Sequence, residues 1–383
     1  MAELSPHLLE EVRERLARDA APLTPAVVAD ALRGQGVPVG DATVLAVHDA
    51  LRVDIVGAGP LEGLLRTPGV TDVLVNGPNQ VWLDRGNGLE LTPVTFPDDA
   101  AVRRLAMRLA SSGGRRLDDA SPYVDLRLAD GTRFHAILAP LSRPGTLISL
   151  RVPSGKVFTI PELVTAGAVP EEATELLRAI VDCNCAFLIS GGTGTGKTTM
   201  LNALLSLVDP GDRLVIVEDA SELRPEHPHL VAMEARPPNI EGAGAIPMRV
   251  LVRQALRMRP DRLVVGEVRG EEVVDMLAAM NTGHEGGCGT IHANSAADVP
   301  ARLEGLALAA GLNRDAAHSQ MAAAIDVVIH LARDEAGVRM IREIGVLERS
   351  RDGVAEVVPA VRFTAGGVEL GAASERLRKL VER

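Results

Sequence analysis

From residue 171 onward, short apolar runs alternate with helical stretches, and this alternation constrains the fold more than any other feature of the chain. The runs are Ala186–Ser190, Leu214–Val217, Leu263–Val265 and Gly289–His292, and the helical periods fall near 197–207, 247–258 and 271–281. Strands that alternate with helices imply a mainly parallel sheet with helices on both faces, an α/β fold. The tail from Val327 adds strand-like runs around Val338–Leu347 and Ala355–Phe363. With 383 residues the chain is too long for one ordinary core and suits two or three domains.

The preceding sequence follows other periods. Leu8, Leu9, Val12 and Leu16 recur at helical spacing, and a second helix opens at Thr24 with Pro25 in its first turn and stops at Gly34. Asp41 caps another apolar-periodic stretch that runs to about Val56, so 1–56 is expected as a small helical segment. From Thr71 the period changes to two. Val73 and Val75, Val81 and Leu83, then Leu89 and Leu91 after the turn Arg85–Gly88 predict strands with a hairpin. A helix is expected from Asp98 to about Ser111, and alternation resumes in Tyr123–Leu128, Arg133–Leu138 and Leu147–Val152. The segment 57–151 is therefore expected as an α+β domain. Between 152 and 170 Pro, Gly and Ser accumulate and periodicity is lost, which predicts a linker, and 171–383 forms the α/β domain.

Composition removes several function classes. The 46% hydrophobic and 24% charged fractions are those of a folded chain. Three cysteines, Cys183, Cys185 and Cys288, are too few for a disulfide framework, and no Cys-x-x-Cys pair exists for a four-cysteine zinc site. No apolar run approaches the roughly 18 residues that a membrane span needs, and Met1–Glu14 holds no apolar core of a secretory signal. A cytoplasmic location is expected. With 51 acidic against 40 basic residues the chain is a net anion, and Trp82 and Tyr123 are single, which opposes a general nucleic-acid binder.

The sharpest chemical signal is Gly191-Gly192-Thr193-Gly194-Thr195-Gly196-Lys197-Thr198, placed after Phe187-Leu188-Ile189 and before the helix that continues from Thr199. This is the strand, Gly-x-x-x-x-Gly-Lys-Thr loop and helix of a phosphate cradle. Glycines let the main-chain N–H groups curl toward a β-phosphate, the helix adds its positive end, Lys197 faces the β- and γ-phosphates, and Thr198 binds Mg²⁺. Gly191 to Thr199 are thus the candidate site for ATP with Mg²⁺. A hydrolase also needs a carboxylate at a neighbouring strand end to order the metal or activate water. Glu267 after Leu263–Val265, and Glu218 with Asp219 after Leu214–Val217, are the two candidates. One acid after an apolar run is ordinarily a solvated strand end; two behind one phosphate loop favour function. His284 and His292 flank the run Cys288–Ile291, where an imidazole could sense a γ-phosphate, although histidines at strand ends are often structural.

These pieces, in this order, resemble the type II/IV secretion ATPase superfamily, and most closely the CpaF/TadA-type ATPases of tight-adherence (Flp) pilus assembly. The likeness runs from about Gly59 to Arg333. It rests on Thr71–Gly77, Gly114–Asp118 and Leu128–Arg133 in the first domain, and on the phosphate loop, Val217–Ala220, Arg236–Gly242, Ala255–Asp261, Gly266–Gly270, Met280–His284 and Thr290–Ser295 in the second. Gly289 stands where such proteins often carry serine, an exchange expected to be harmless, and a four-cysteine insertion common in some branches is missing.

The resemblance implies a hexameric ring of RecA-like domains with nucleotide between the two domains of a subunit. It also implies Glu218 and Asp219 as an acidic box, Glu267 as the general base, His292 as the histidine-box residue, and Arg133 and Arg151 as arginines that reach the γ-phosphate. Glu218 and Glu267 are candidate metal partners, Glu267 through water. The expected role is a homohexameric motor docked peripherally on an inner-membrane pilus platform. The alternatives are a type IV secretion ATPase exporting protein or DNA and, from another class, a RecA-like nucleic-acid motor.

Overall fold

The computed structural model describes residues 24–34, 40, 43–45, 47–48 and 57–382, apart from 87, 154–155, 240–241, 284–285, 335–336 and 365. The chain divides into two compact units, residues 1–154 and 155–383. The helix expected around Leu8–Leu16 lies outside the described residues, as does most of the stretch from Asp41 to Val56.

In the first unit, helix α1 (Pro25–Arg33) begins as its sequence dictates: the Thr24 hydroxyl accepts from Val27 N, Pro25 occupies the first turn and Gly34 ends it. A helical turn, α2 (Glu62–Leu65), leads to strands β1 (Asp72–Asn76), β2 (Val81–Asp84) and β3 (Leu89–Leu91), helix α3 (Asp99–Ser112), and strands β4 (Tyr123–Arg127), β5 (Arg133–Ile137) and β6 (Leu147–Arg151). The strands form one antiparallel sheet in the order β3-β2-β1-β6-β5-β4. The Asp98 carboxylate caps α3 by accepting from Ala101 N at 2.7 Å. Val102, Leu105, Ala106 and Leu109 of α3 are buried with Val73 and Val75 of β1, Phe134 of β5 and Leu150 of β6. The period-two signal in the sequence is the inward face of this sheet.

The second unit begins with α4 (Ile160–Thr165), inside the stretch expected as a linker. Pro161 starts this helix rather than breaking a chain, the Thr159 and Glu162 side chains form a capping box, and Ile160, Leu163 and Val169 enter the core. Helix α5 (Thr174–Asp182), strand β7 (Phe187–Gly191), helix α6 (Lys197–Leu205), and strands β8 (Leu214–Glu218) and β9 (Leu230–Glu234) follow. Next come α7 (Met248–Ala255), β10 (Arg262–Val265), α8 (Glu272–Met280), β11 (Cys288–Ile291), α9 (Val299–Ala309) and α10 (Arg314–Ala324). The chain closes with β12 (Val327–Arg333), β13 (Arg339–Arg349), β14 (Ala355–Thr364), β15 (Gly367–Leu370) and α11 (Ser374–Val381).

These nine strands make one sheet in the order β15-β14-β13-β12-β7-β11-β10-β8-β9. The run from β12 to β9 is parallel, and β13, β14 and β15 extend the β12 edge as antiparallel strands. Successive residues of the central strands feed opposite cores. Ile189, Ile216 and Val264 pack on one face, and Leu188, Val215, Val217, Leu263 and Val265 on the other. Because both faces are covered, these strands appear in the sequence as unbroken apolar runs rather than alternations. Among the described residues Cys183, Cys185 and Cys288 form no disulfide, and the latter two are buried. Among the described residues no helix is long and apolar enough to cross a membrane.

Candidate nucleotide site

The phosphate loop joins the carboxyl end of β7 to the first residue of α6. Its glycines are needed for conformation as well as space. Gly194 and Gly196 have φ of 69° and 93°, in the left-handed region that side chains avoid. At Gly191, φ is 154°, and a Cβ would stand 2.5 Å from Leu331 O and 2.7 Å from Thr195 Oγ1. Thr195 Oγ1 donates to Gly192 O at 3.0 Å, and Arg333, at the end of β12, donates to Gly194 O at 3.0 Å. Gly192 and, in the first turn of α6, Thr198 and Thr199 are half-buried, whereas Thr193 and Gly194 are exposed at the loop's apex.

Lys197 is buried, and its Nζ donates to Gly191 O at 3.0 Å and to Gly192 O at 2.8 Å. The side chain therefore curls back over the loop it follows. Burial holds its pKa below the ordinary lysine value, opposed by Glu267 and aided by Arg269.

Both candidate acids stand at the carboxyl ends of parallel strands, as expected. Glu218, the last residue of β8, is buried; its Oε1 accepts from Glu222 N and Leu223 N at 3.0 Å each, and its Oε2 has no hydrogen-bond partner. Burial pushes its pKa up to about 7 against the pull of those two amides. The side chain presses on the backbone after β10, where a Cβ at Gly266 would stand 2.5 Å from Glu218 Cγ. Asp219 is exposed.

Glu267 lies one residue further on, half-buried. Arg269 donates to its Oε2, and His292 Nε2 lies 2.8 Å from its Oε1. That imidazole contact is close but off the line a hydrogen bond needs, and Oε1 is otherwise buried without a partner. On the other side of the ring, Nδ1 lies 3.5 Å from Lys197 Nζ. Since an ammonium only donates, Nδ1 is the acceptor and the ring proton sits on Nε2, toward Glu267. Burial and the Lys197 charge lower the His292 pKa, which favours that neutral ring. Glu272 steadies the far end by accepting from Arg269 N and Gly270 N at 2.7 Å each. Lys197, His292, Glu267 and Arg269 thus form a continuous polar chain. His284 lies outside the described residues.

Gly289 has a packing reason. A Cβ there would stand 2.5 Å from Val265 O on the neighbouring strand, so β10 and β11 approach too closely for serine. Thr290 Oγ1 donates to Gly266 O at 2.7 Å and fixes the same two strand ends together.

Arg133 and Arg151 belong to the first unit. They are register partners on β5 and β6, both exposed, and Arg133 forks onto Asp125 at 2.8 and 3.2 Å. The sequence alone gives no role to Arg269, although it sits in the stretch Gly266–Gly270, nor to Glu272 or Arg333. Two residues past an acid, Arg269 was the one legible from position; the placement of Arg333 depends on how the β12–β13 hairpin meets the phosphate loop.

The residues fit a magnesium nucleotide: a loop whose Gly191 has no room for a side chain and whose Gly194 and Gly196 adopt left-handed backbone, a buried lysine, and a buried carboxylate oxygen of Glu218 without a partner, with Glu267 beside it past the adjoining strand end. Among the described residues no cluster of three or more His, Cys, Asp or Glu forms an all-protein metal cage, which agrees with a metal bound largely through phosphate oxygens and water.

Residues 54–356 match the family described as Type II/IV secretion system protein. The chain belongs to this family. A Mycobacterium tuberculosis H37Rv protein named provisionally for conjugal transfer, Rv3659c, is 53% identical over 325 residues, 83% of this chain and 92% of its own length. The conjugal transfer protein TrbB of Rhizobium radiobacter is 30% identical over 288 residues, 74% of this chain and 85% of its own. The solved structure of the Yersinia pseudotuberculosis ATPase DotB shares the fold, with a TM-score of 0.54 at 17% identity over 80% of each chain.

Proposed function

We propose that this type II/IV secretion family member hydrolyses ATP with Mg²⁺ and uses the reaction to move a partner assembly. The observation that carries the reading is the polar chain from Lys197 through His292 to Glu267, which links the phosphate loop to a carboxylate two residues past a neighbouring strand end. In this reading Lys197 leaves the loop carbonyls for the β- and γ-phosphates. Thr198, with Glu267 through water and Glu218, would hold Mg²⁺, which neutralises phosphate charge. Glu267 takes the proton of the attacking water as its oxygen bonds to the γ-phosphorus and the bond to the β-phosphate oxygen breaks. His292 orients that carboxylate and responds to the phosphate beside Lys197.

Arg133 and Arg151 supply the coupling. The two guanidinium groups stand exposed at one register position, and a γ-phosphate takes the place of the Asp125 carboxylate on Arg133, so the pair suits that group. Held with ATP and released with ADP, they turn hydrolysis into a change of domain angle. We further propose a homohexamer located at the cytoplasmic face of the inner membrane through platform proteins, working in Flp-type pilus assembly. Export by a type IV secretion system is the second reading, favoured by the conjugal-transfer names of the relatives.

Magnesium-dependent phosphate release from ATP by the purified chain tests the enzymatic reading, and absence of turnover at any oligomeric state sinks it. Stimulation by DNA would instead support a nucleic-acid motor. Deleting the gene separates the cellular readings: lost surface pili support assembly, and intact pili with lost export support secretion.

A further inference from the structure

Ser190 and His330 are polar side chains inside an apolar core. They lie on the sheet face that carries Leu188, Val328 and Ile291, and only 0% and 6% of their surfaces are exposed. Ser190 Oγ lies 2.9 Å from His330 Nδ1. A hydroxyl and an imidazole are tolerated there because each satisfies the other, whereas either alone would be a stranded polar group.

Their place in the register gives the pair its meaning. Ser190 is opposite His330 on one side and Ile291 on the other, so Ile291, Ser190 and His330 form one row across three parallel strands. Gly191, the next residue after Ser190, opens the phosphate loop; His292, the next after Ile291, stands between Lys197 and Glu267. The His330 ring also makes a polar contact with the main chain of Asn294, two residues beyond His292. The turn Ala296–Asp298 that continues this loop packs on β12, β13 and β14. Burial favours the neutral imidazole, with one acceptor and one N–H. Ser190 satisfies the first and the Asn294 main chain faces the second.

We infer that His330 is a positioning residue, which through Ser190 and the main chain at Asn294 sets the spacing between the phosphate-loop strand and the His292 loop. It acts through His292. The kinetic consequence rests on the ATP-hydrolysing function proposed above; the placement of His292 does not.

The full chain is compared as wild type, His330→Leu, His292→Ala and the double variant, each checked for cooperative thermal unfolding. His330→Leu should lower kcat by about tenfold to a hundredfold, the scale of a misplacement near 1 Å, with KM for ATP changed less than about threefold. In the His292→Ala background the same substitution should change kcat by less than about twofold, because residues acting as one unit are not additive. The His292 imidazole ¹⁵N and ¹H signals should also move in His330→Leu. Additive losses in the double variant, or unmoved His292 signals in the folded single variant, overturn the inference. If the wild type does not hydrolyse ATP, the proposed function fails separately and the His292 signals still decide the placement. Should His330→Leu not fold, Ser190→Ala, which removes only the hydroxyl, carries the same comparison with the same criteria.

Discussion

Replacing Glu218 by glutamine should change how stability depends on pH. Glu218 is buried, with one oxygen held by two amides and the other without a partner, and its pKa is pushed from 4.5 up to about 7. An acid whose folded pKa lies above its unfolded value binds its proton more tightly when folded. Its favourable contribution is therefore full below about pH 4.5 and is lost as pH rises through about 7. At 1.36 kcal/mol per pKa unit the interval corresponds to about 3 kcal/mol. Glutamine keeps the oxygen facing Glu222 N and Leu223 N but cannot ionise, so the variant should gain about 3 kcal/mol relative to wild type between pH 4.5 and pH 8, whatever its offset at low pH. Urea unfolding at four or five pH values measures this. Trp82 and Tyr123 both lie in the first unit, so the second unit is followed by circular dichroism, and its transition is fitted apart from that of the first. Parallel stability curves for the two proteins would refute the reasoning.

Four further outcomes are expected. Lys197→Ala should weaken ATP binding by about a hundredfold or more, since charge-assisted bonds of about 1.5–3 kcal/mol each are lost, and unchanged affinity by titration would remove the phosphate-loop assignment. Glu267→Gln should bind ATP with near-normal affinity yet lose about 10² to 10⁴ in turnover, and a larger loss in Glu218→Gln would mean that the two acids exchange roles. Arg133→Ala and Arg151→Ala should weaken ATP binding more than ADP binding and impair hydrolysis with the oligomer intact, while two merely exposed arginines would change stability by no more than about 0.5 kcal/mol and leave turnover normal. Gly289→Ser should cost about 1–3 kcal/mol of stability because its Cβ meets Val265 O at 2.5 Å, and an unshifted unfolding midpoint would show that the strands spread to accept it.

The parts legible in the sequence are those whose burial is symmetrical or whose conformation demands a residue type. Strands β7, β8, β10 and β11 are covered on both faces, so Phe187–Ile189 and Leu263–Val265 stand out as apolar runs. Strand β9 escaped notice because it is the partly exposed edge of the sheet and Leu230–Glu234 carries no run of buried residues. Helix α10 is quiet for another reason: it buries Ala317, His318, Met321 and Ala324, and small or polar residues carry little periodic signal. In 152–170 the prolines suggested a linker, but Pro161 sits where a helix starts, and the Thr159–Glu162 box was the signal that distinguishes the two. Of the site, the loop and both acids follow from local sequence. The contacts of His292 with Lys197 and Glu267 join residues far apart in the chain, and the Ser190–His330 pair has no local signature.

Strand order accounts for which acid serves which part of the proposed site. Reading across the sheet, β7, β11, β10 and β8 deliver Gly191, His292, Glu267 and Glu218 to one edge, because in a parallel sheet every carboxyl end lies on the same side. Neighbouring strands are about 4.8 Å apart, so the strand before Glu267 lies roughly 10 Å from the phosphate-loop strand and the strand ending at Glu218 roughly 14 Å. Glu267 is too far for direct contact with Lys197 across the sheet, and the strand between them ends one residue before His292, which spans the gap through its two ring nitrogens. Glu218 has no such intermediary. Its side chain instead packs on Gly266, the residue that sets where Glu267 begins, and its own Oε1 is committed to Glu222 N and Leu223 N. This geometry supports Glu267 as the carboxylate that meets water at the γ-phosphate and Glu218, with one oxygen tied to two amides and the other buried without a partner, as the acid that holds the adjoining strand end in place.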